Sequence, residues 1–277
     1  MSSSGPSRVP PPPPATVEGW AYELITTTDL ERKLNPGPCP GEWESRAEPR
    51  RLEGPGRPAR LRVTDRAGKT PRPGALTRPA ARARLYATFL HHELQAAELM
   101  AWAILAFPDT PRSFRRGLAA IARDELDHLA LYRGLLDRLG VAVGDEPVRD
   151  WFWERVPAVL DPLGFVALMG MGLEGGNLEH ARTFARRLEE AGDLEGAAVL
   201  SRVADEEEAH VRFAVRWFER WTGGQDFERW LDSLPRPLTP TVLRGRPLAR
   251  TARLRAGQEP AFLDALEGWR DDPRGRV

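Results

Sequence analysis

Two stretches, "RDELDHLALY" (residues 123–132) and "ADEEEAHVRF" (204–213), constrain the fold of this 277-residue chain more than any other feature. Each holds a Glu-x-x-His pair, Glu125 with His128 and Glu207 with His210. Residues three apart share one face of a helix. In the first stretch that face otherwise reads Phe114, Leu118, Ile121, Ala122, Leu129 and Leu135; in the second it reads Leu200, Val203, Val211, Ala214 and Phe218. Both pairs therefore interrupt an apolar stripe and point inward, where an ionisable group is tolerated only if something compensates it.

The helices that carry these pairs belong to a longer pattern. From about residue 79, apolar residues recur at helical spacing and predict four long helices: 79–106, 112–139, 158–191, and a last one from the natural cap Asp193 to "WTGG". "FPDTP" ends the first, Gly140 the second and Gly192 the third. The first two helices, and the last two, are joined by only a few residues, so each pair should form an antiparallel hairpin. The link between the second and third, "VAVGDEPVRDWFWERV", is long and reads as a crossover with a short aromatic helix at Trp151, Phe152 and Trp153. With no convincing alternating strand, the fold class expected is all-α: a ferritin-like four-helix bundle with a long crossover between helices two and three. The bundle domain spans 78–223. It is flanked by a Pro-rich, mostly irregular extension over 1–77 and an Arg-rich arm with short helices over 224–277. Within the first extension, 1–14 reads as disordered, and "TTDLERKL" as a short helix capped by Thr28 or Asp29. Within the second, "EPAFLDALEGW" reads as a short amphipathic helix.

The first and third helices carry a carboxylate without a histidine. Glu93 lies in line with Tyr86, Phe89, Leu90, Ala96 and Met100; Glu174 lies in line with Ala167, Gly170, Met171, Leu178 and Ala181. Glu98 and Glu179, each five residues on, sit roughly 140° round the helix. Glu93 precedes Ala106 by 13 residues and Glu125 follows Arg112 by 13, so these two carboxylates meet at one height in the hairpin. Glu98 would miss that height by about 7 Å. The halves echo one another: Glu93 precedes Glu125 by 32 residues and Glu174 precedes Glu207 by 33, as after a duplication. No arginine falls on these stripes to neutralise four glutamates and two histidines. Two divalent metal ions would, with Glu93, Glu125, His128, Glu174, Glu207 and His210 as ligands, two of the glutamates bridging, and coordination positions left open. Oxygen-rich ligation with two imidazoles suits two iron ions, or manganese, or a mixed manganese–iron pair.

The signature Glu93 … Glu125-x-x-His128 … Glu174 … Glu207-x-x-His210 resembles the ferritin-like di-iron carboxylate superfamily. More closely, "HHELQAAELMAWA", "FPDTPRSFRRGL", "RDELDHLALY", "GDEPVRDWFW" and "EGGNLEHA" resemble a ferritin-like family of bacterial and plant proteins whose relatives include the tRNA-modifying di-iron hydroxylase. The likeness covers most of residues 50–222. It implies an oxidoreductase of the hydroxylase or oxidase type that uses molecular oxygen or peroxide on an organic substrate. Because the superfamily also includes ferroxidases, iron handling without an organic substrate stays open, as does a non-catalytic, metal-stabilised module for RNA or protein. Tyr132, four residues after His128 on the same face, is the candidate catalytic residue. The small subunit of ribonucleotide reductase has the same Glu-x-x-His-x-x-x-Tyr spacing around its radical tyrosine, although a core tyrosine is the commoner reason for such spacing. Tyr86 shares that ambiguity. His91 and His92 read as residues outside the ligand shell, and His180 as a residue that could hydrogen-bond a ligating carboxylate. Asp124, Asp127, Asp205, Glu206 and Glu208 read as solvated surface.

Composition narrows the setting. Formal net charge is zero, so no whole-molecule field draws the chain to nucleic acid or a membrane surface. The segment 236–255 carries six arginines and no acid. It could hold RNA, but no aromatic residue interleaves the arginines, and an arm lying on the bundle is the favoured reading. The single cysteine, Cys39, leaves no internal disulfide. No apolar run is long enough to cross a bilayer, and the start lacks the apolar stretch of a secretory signal. A cytoplasmic protein is expected, with a homodimer left open.

Overall fold

Three of the four expected long helices form where the apolar periodicity places them, and the third in chain order forms as a composite. The structure, a computed structural model, describes residues 9–65 and 71–271. In chain order its helices begin with α1 (Val17–Thr26) and α2 (Leu30–Leu34), both in the N-terminal extension. The first hairpin is α3 (Pro79–Ala106) with α4 (Arg112–Arg138). The third predicted helix is a composite of α5 (Pro162–Phe165), a π-helix (Val166–Glu174) and α6 (Gly175–Glu190). It is followed by α7 (Leu194–Thr222) and then by α8 (Phe227–Asp232), α9 (Arg250–Arg255) and α10 (Pro260–Gly268). Among the described residues there is no strand, only an isolated parallel bridge between Val63 and Val148. The fold is all-α. No described helix is long and apolar enough to cross a membrane.

The helix ends follow local chemistry. Pro79 opens α3, where a missing N–H costs nothing. The Asp193 carboxylate caps α7 by accepting from Gly196 N at 3.1 Å. Asp29 caps α2 in the same way, through Arg32 N at 2.9 Å. The α7 helix stops at Gly223, whose φ of 86° lies in the left-handed region.

Three expectations need correction. The third helix does not run unbroken over 158–191. Asp161 caps its start at Pro162, and the glycine-rich run "MGMGLEGG" takes up the wider π turn. At Gly170 an added Cβ would lie 2.2 Å from the Ala214 Cβ, so the π-helix and α7 approach as closely as they do only because that residue is glycine. The crossover holds no aromatic α-helix: 151–155 are turns, and a single 3₁₀ turn follows at Val156–Ala158. The N-terminal extension is more ordered than its prolines suggested. Trp20, Ala21, Leu24 and Ile25 of α1 are buried in the same core as Leu99, Ala103 and Phe114. Residues 9–14 of the expected disordered leader lie against the body, with Arg50 Nε donating to Pro10 O at 2.9 Å; residues 1–8 lie outside the described residues.

α3 packs mainly on α4 and α6 mainly on α7, with α4 and α7 also in contact. The core this creates has two parts. One holds Met100, Phe114, Leu118, Met171, Val211 and Phe218. The other holds Tyr86, Leu90, Leu129, Tyr132, Leu188 and Val203. The layer between them is polar.

Candidate metal centre

All six residues expected as ligands meet in that layer, and all six are buried. Their donor atoms form two overlapping groups, Glu93–Glu125–His128–Glu207 and Glu125–Glu174–Glu207–His210, each with its atoms within 4.8 Å of one another. Glu125 and Glu207 belong to both groups. Each group adds one histidine and one further glutamate, so the two halves of the chain contribute equivalently.

Both imidazoles turn Nδ1 toward the shared carboxylates. His128 Nδ1 lies 3.3 Å from Glu125 Oε2 and 3.8 Å from Glu207 Oε1. His210 Nδ1 lies 3.1 Å from Glu125 Oε1 and 3.0 Å from Glu207 Oε2. The other nitrogens reach across to the opposite hairpin: His128 Nε2 to Glu206 Oε2 at 2.9 Å and His210 Nε2 to Asp124 Oδ2 at 3.3 Å. Asp124 and Glu206 are therefore not plain surface groups. Each immediately precedes a candidate ligand glutamate, in "DELDH" and "EEEAH", and that repeated acid was the available signal. Carboxylates in this position orient an imidazole and raise its basicity toward a metal. Asn177 adds a third support, donating from Nδ2 to Glu207 Oε1 at 3.1 Å. His180, expected in that role, instead lies exposed at the edge of a neighbouring cavity.

The electrostatics show why the layer needs compensation. Burial, reinforced by the Glu125 and Glu207 charges, raises Glu93 well above the ordinary carboxylate range. Burial, then Glu207 and Glu125, does the same to Glu174. Burial opposes the charged forms of the histidines too, but the facing carboxylates overcome it. Glu125 and Glu207 raise His128 to about 9 and push His210 well up. Burial would also raise Glu125, yet the two imidazoles hold it at about 2. The buried Oε1 atoms of Glu93 and Glu174 have no hydrogen-bond partner among the described residues. Orphaned carboxylate oxygens aimed into a cluster of carboxylates and imidazoles are the donor set that a hard or borderline divalent cation would satisfy. The residues present fit a pair of such ions.

The rival glutamates are engaged elsewhere. Glu98 accepts from Lys33 Nζ at 3.0 Å, from Arg57 at 2.6 and 2.9 Å, and from the Trp153 indole at 2.7 Å. Glu179 accepts from Arg253 at 2.7 and 2.8 Å and from the Gly245 and Ala249 backbone N–H groups, each at 3.0 Å. Both therefore act as buried anchors for the extensions, Glu98 for the N-terminal one and Glu179 for the C-terminal one. Glu208 likewise is no free surface acid, since it binds Arg182 at 2.9 Å and Arg255. Asp205 also pairs with Arg182, at 2.7 Å. Four of the six arginines of 236–255 (Arg244, Arg250, Arg253 and Arg255) bond to the protein itself.

Tyr132 is fully buried, its ring stacked on Phe89 at 5.5 Å between centroids, and its hydroxyl has no partner among the described residues. Burial, and then the Glu93 charge, keep the phenol firmly protonated. Tyr86 is accounted for differently: its hydroxyl donates to Asp193 Oδ2 at 2.6 Å, away from the cluster. His91 Nε2 meets Asp150 Oδ1 at 2.8 Å, and Asp150 in turn binds Arg57. His92 stacks on Phe152 at 4.9 Å, and burial, followed by the His91 and His180 charges, lowers it to about 3.

A family model described as "Protein of unknown function (DUF455)" matches residues 18–264. The match takes in most of the chain and the whole of the site, and the chain belongs to that family. No curated protein and no solved structure matches it.

Proposed function

We propose that this member of the DUF455 family is a ferritin-like di-metal carboxylate protein, an oxygen- or peroxide-dependent oxidoreductase of the hydroxylase or oxidase type acting on an organic substrate. The observation that carries this reading is the pair of four-residue clusters sharing Glu125 and Glu207. A shared carboxylate on each side, with one glutamate and one histidine for each ion, is the arrangement of di-iron and di-manganese bundle proteins. Two antiparallel hairpins joined by the long crossover support the same likeness.

Glu93, Glu125, His128 and Glu207 would hold one ion, and Glu125, Glu174, Glu207 and His210 the other; iron fits best, with manganese or a mixed pair as alternatives. When bound, such a pair supplies redox activation of oxygen or peroxide. The chain's own contribution is positional. Asp124 and Glu206 fix the ring orientation of the two histidines, and Asn177 holds Glu207. The apolar layers on either side keep water from the centre. Tyr132 presents a neutral, unpartnered phenol within the field of Glu93; its firmly held proton makes it a poor acid, and its role would be donation of a hydrogen atom.

The cavity described below favours this reading over iron handling without an organic substrate. The paired arginines of the C-terminal arm disfavour an RNA-binding module. The decisive measurement is metal content after anaerobic purification from an iron-replete host, with absorption spectra before and after oxygen. About two ions per chain, lost in Glu125→Ala, with new oxygen-dependent absorption bands, is the expected result. Absence of bound metal would end the proposal.

A further inference from the structure

A cavity of about 360 Å³ adjoins the centre on one side only. Of the six expected ligands, Glu93 and Glu174 line it, whereas Glu125, His128, Glu207 and His210 do not. Its walls come from four parts of the chain: Phe89 from α3, Trp151 and Phe152 from the crossover, Phe184 from α6, and Leu243 from the C-terminal arm. The arm packs closely on Gly172, where a Cβ would lie 3.1 Å from Leu243 Cδ1.

The polar groups of this cavity are few. Thr88, Asn177, His91, His92 and His180 line it; the Thr88 hydroxyl donates to Arg84 O, and His91 Nε2 is bonded to Asp150. Among the described residues the His92 and His180 imidazoles have no protein hydrogen-bond partner, and the His92 ring is held flat against Phe152. One cationic side chain lines it, Arg149, and its guanidinium is already clamped by Glu154 at 2.8 and 2.7 Å. No free cation among the described lining residues could neutralise a phosphate or carboxylate. The lining acids, Glu93 and Glu174, are the groups assigned to metal. Flat aromatic walls with a few uncharged hydrogen-bonding groups match a planar, uncharged guest. The volume lies toward the small end of the roughly 300–1,000 Å³ usual for small-molecule sites.

We propose that this cavity is the substrate pocket and that it takes an uncharged aromatic molecule of one or two rings, presented to the Glu93 and Glu174 side of the centre. Its catalytic meaning rests on the di-metal reading; binding itself does not. The test uses 2-naphthol, 2-naphthyl phosphate and 2-naphthylmethylamine as neutral, anionic and cationic probes, followed by ligand-observed NMR on the metal-free full-length chain. The neutral probe should bind at least about tenfold more tightly than either charged one (about 1.4 kcal/mol). Thr88→Trp, which fills the cavity from α3, should weaken it about tenfold or more while leaving helical content and metal stoichiometry unchanged. If that variant does not fold, Phe152→Ala on the crossover takes its place, with the same loss expected. In protein loaded with Mn(II), the signals of bound 2-naphthol should broaden by paramagnetic relaxation. No binding of 2-naphthol, equal binding of a charged probe, no effect of the folded variant, or no broadening in loaded protein would each overturn the proposal. Neutral-probe binding in a chain that takes up no metal would sink the di-metal reading and leave the pocket standing. Metal uptake without probe binding would do the reverse.

Discussion

At the scale of single residues, the two clusters are unequal in what each member touches. Glu125 offers an oxygen to both groups, Glu93 to one. Glu125→Ala should therefore abolish uptake of both ions, whereas Glu93→Ala should leave about one ion per chain bound. Equal loss in the two variants, read by elemental analysis, would count against the shared-carboxylate geometry. Asp124 and Glu206 act one step further out, through the Nε2 atoms of His210 and His128. Asp124→Asn and Glu206→Gln should each weaken metal binding about 10- to 100-fold without unfolding the chain. Isothermal titration with Mn(II) would measure it. Glu208, two residues beyond Glu206, faces arginines instead of an imidazole, so Glu208→Gln should leave metal affinity unchanged.

At the scale of elements, the extensions are fastened to the bundle by buried ion pairs. Arg253 of α9 and Glu179 of α6 are both almost wholly inaccessible. Removing one partner of such a pair strands a buried charge and costs about 3–5 kcal/mol, whereas an apolar replacement of both is often near neutral. Arg253→Ala should thus destabilise the chain by about that amount in chemical denaturation, and the double change Arg253→Met with Glu179→Leu should recover only part of it, because the Gly245 and Ala249 N–H groups lose their acceptor. At the other end Glu98 has two cationic partners, Lys33 and Arg57. Arg57→Ala leaves it the Lys33 ammonium and should cost less than Arg253→Ala. The π-helix is the third element-level device. It ends at Glu174, and an insertion of this kind within a helical run is common where a functional side chain must be re-aimed.

At the scale of the whole molecule, the proposed metal ions would compete with protons for one layer of the core. Without metal, His128 is raised from the ordinary histidine value of 6.5 to about 9, so the folded chain keeps a proton that the unfolded chain releases. Stability from that proton is complete below about pH 6.5 and is lost as pH climbs through about 9. His210 is raised and acts in the same sense. Glu93 and Glu174 are raised too, from 4.5, so their contribution is complete below about pH 4.5 and declines above it. The melting temperature of the metal-free chain should fall from pH 6.5 to 9. Loading has the opposite dependence, because both imidazoles and both glutamates must give up protons to bind metal. Affinity should rise over the same range, with release of up to four protons per chain in a weakly buffered titration. A melting temperature that rises with pH in the metal-free chain would contradict these protonation states.

The sequence by itself determined the helices and the six inward-facing groups, because both depend on short-range information. A 3.6-residue period, a capping Asp193, a stopping Gly223 and equal counts to a hairpin turn place Glu93 beside Glu125 with no knowledge of the rest of the chain. The carboxylates that are anchors were harder to read. Glu98 and Glu179 have the same residue type and the same echoing spacing as the candidate ligands. What separates them is Lys33, Arg57 and Arg253, which lie 41 to 74 residues away in the two extensions, outside the long helices. The roles of Asp124 and Glu206 were hidden for the same reason, since each looks outward along its own helix and meets an imidazole only from the opposite hairpin. The cavity had no sequence signature: its walls come from four separated segments, and only packing brings Phe89, Phe152, Phe184 and Leu243 together. Periodicity shows which way a side chain points; what meets it there depends on the tertiary structure.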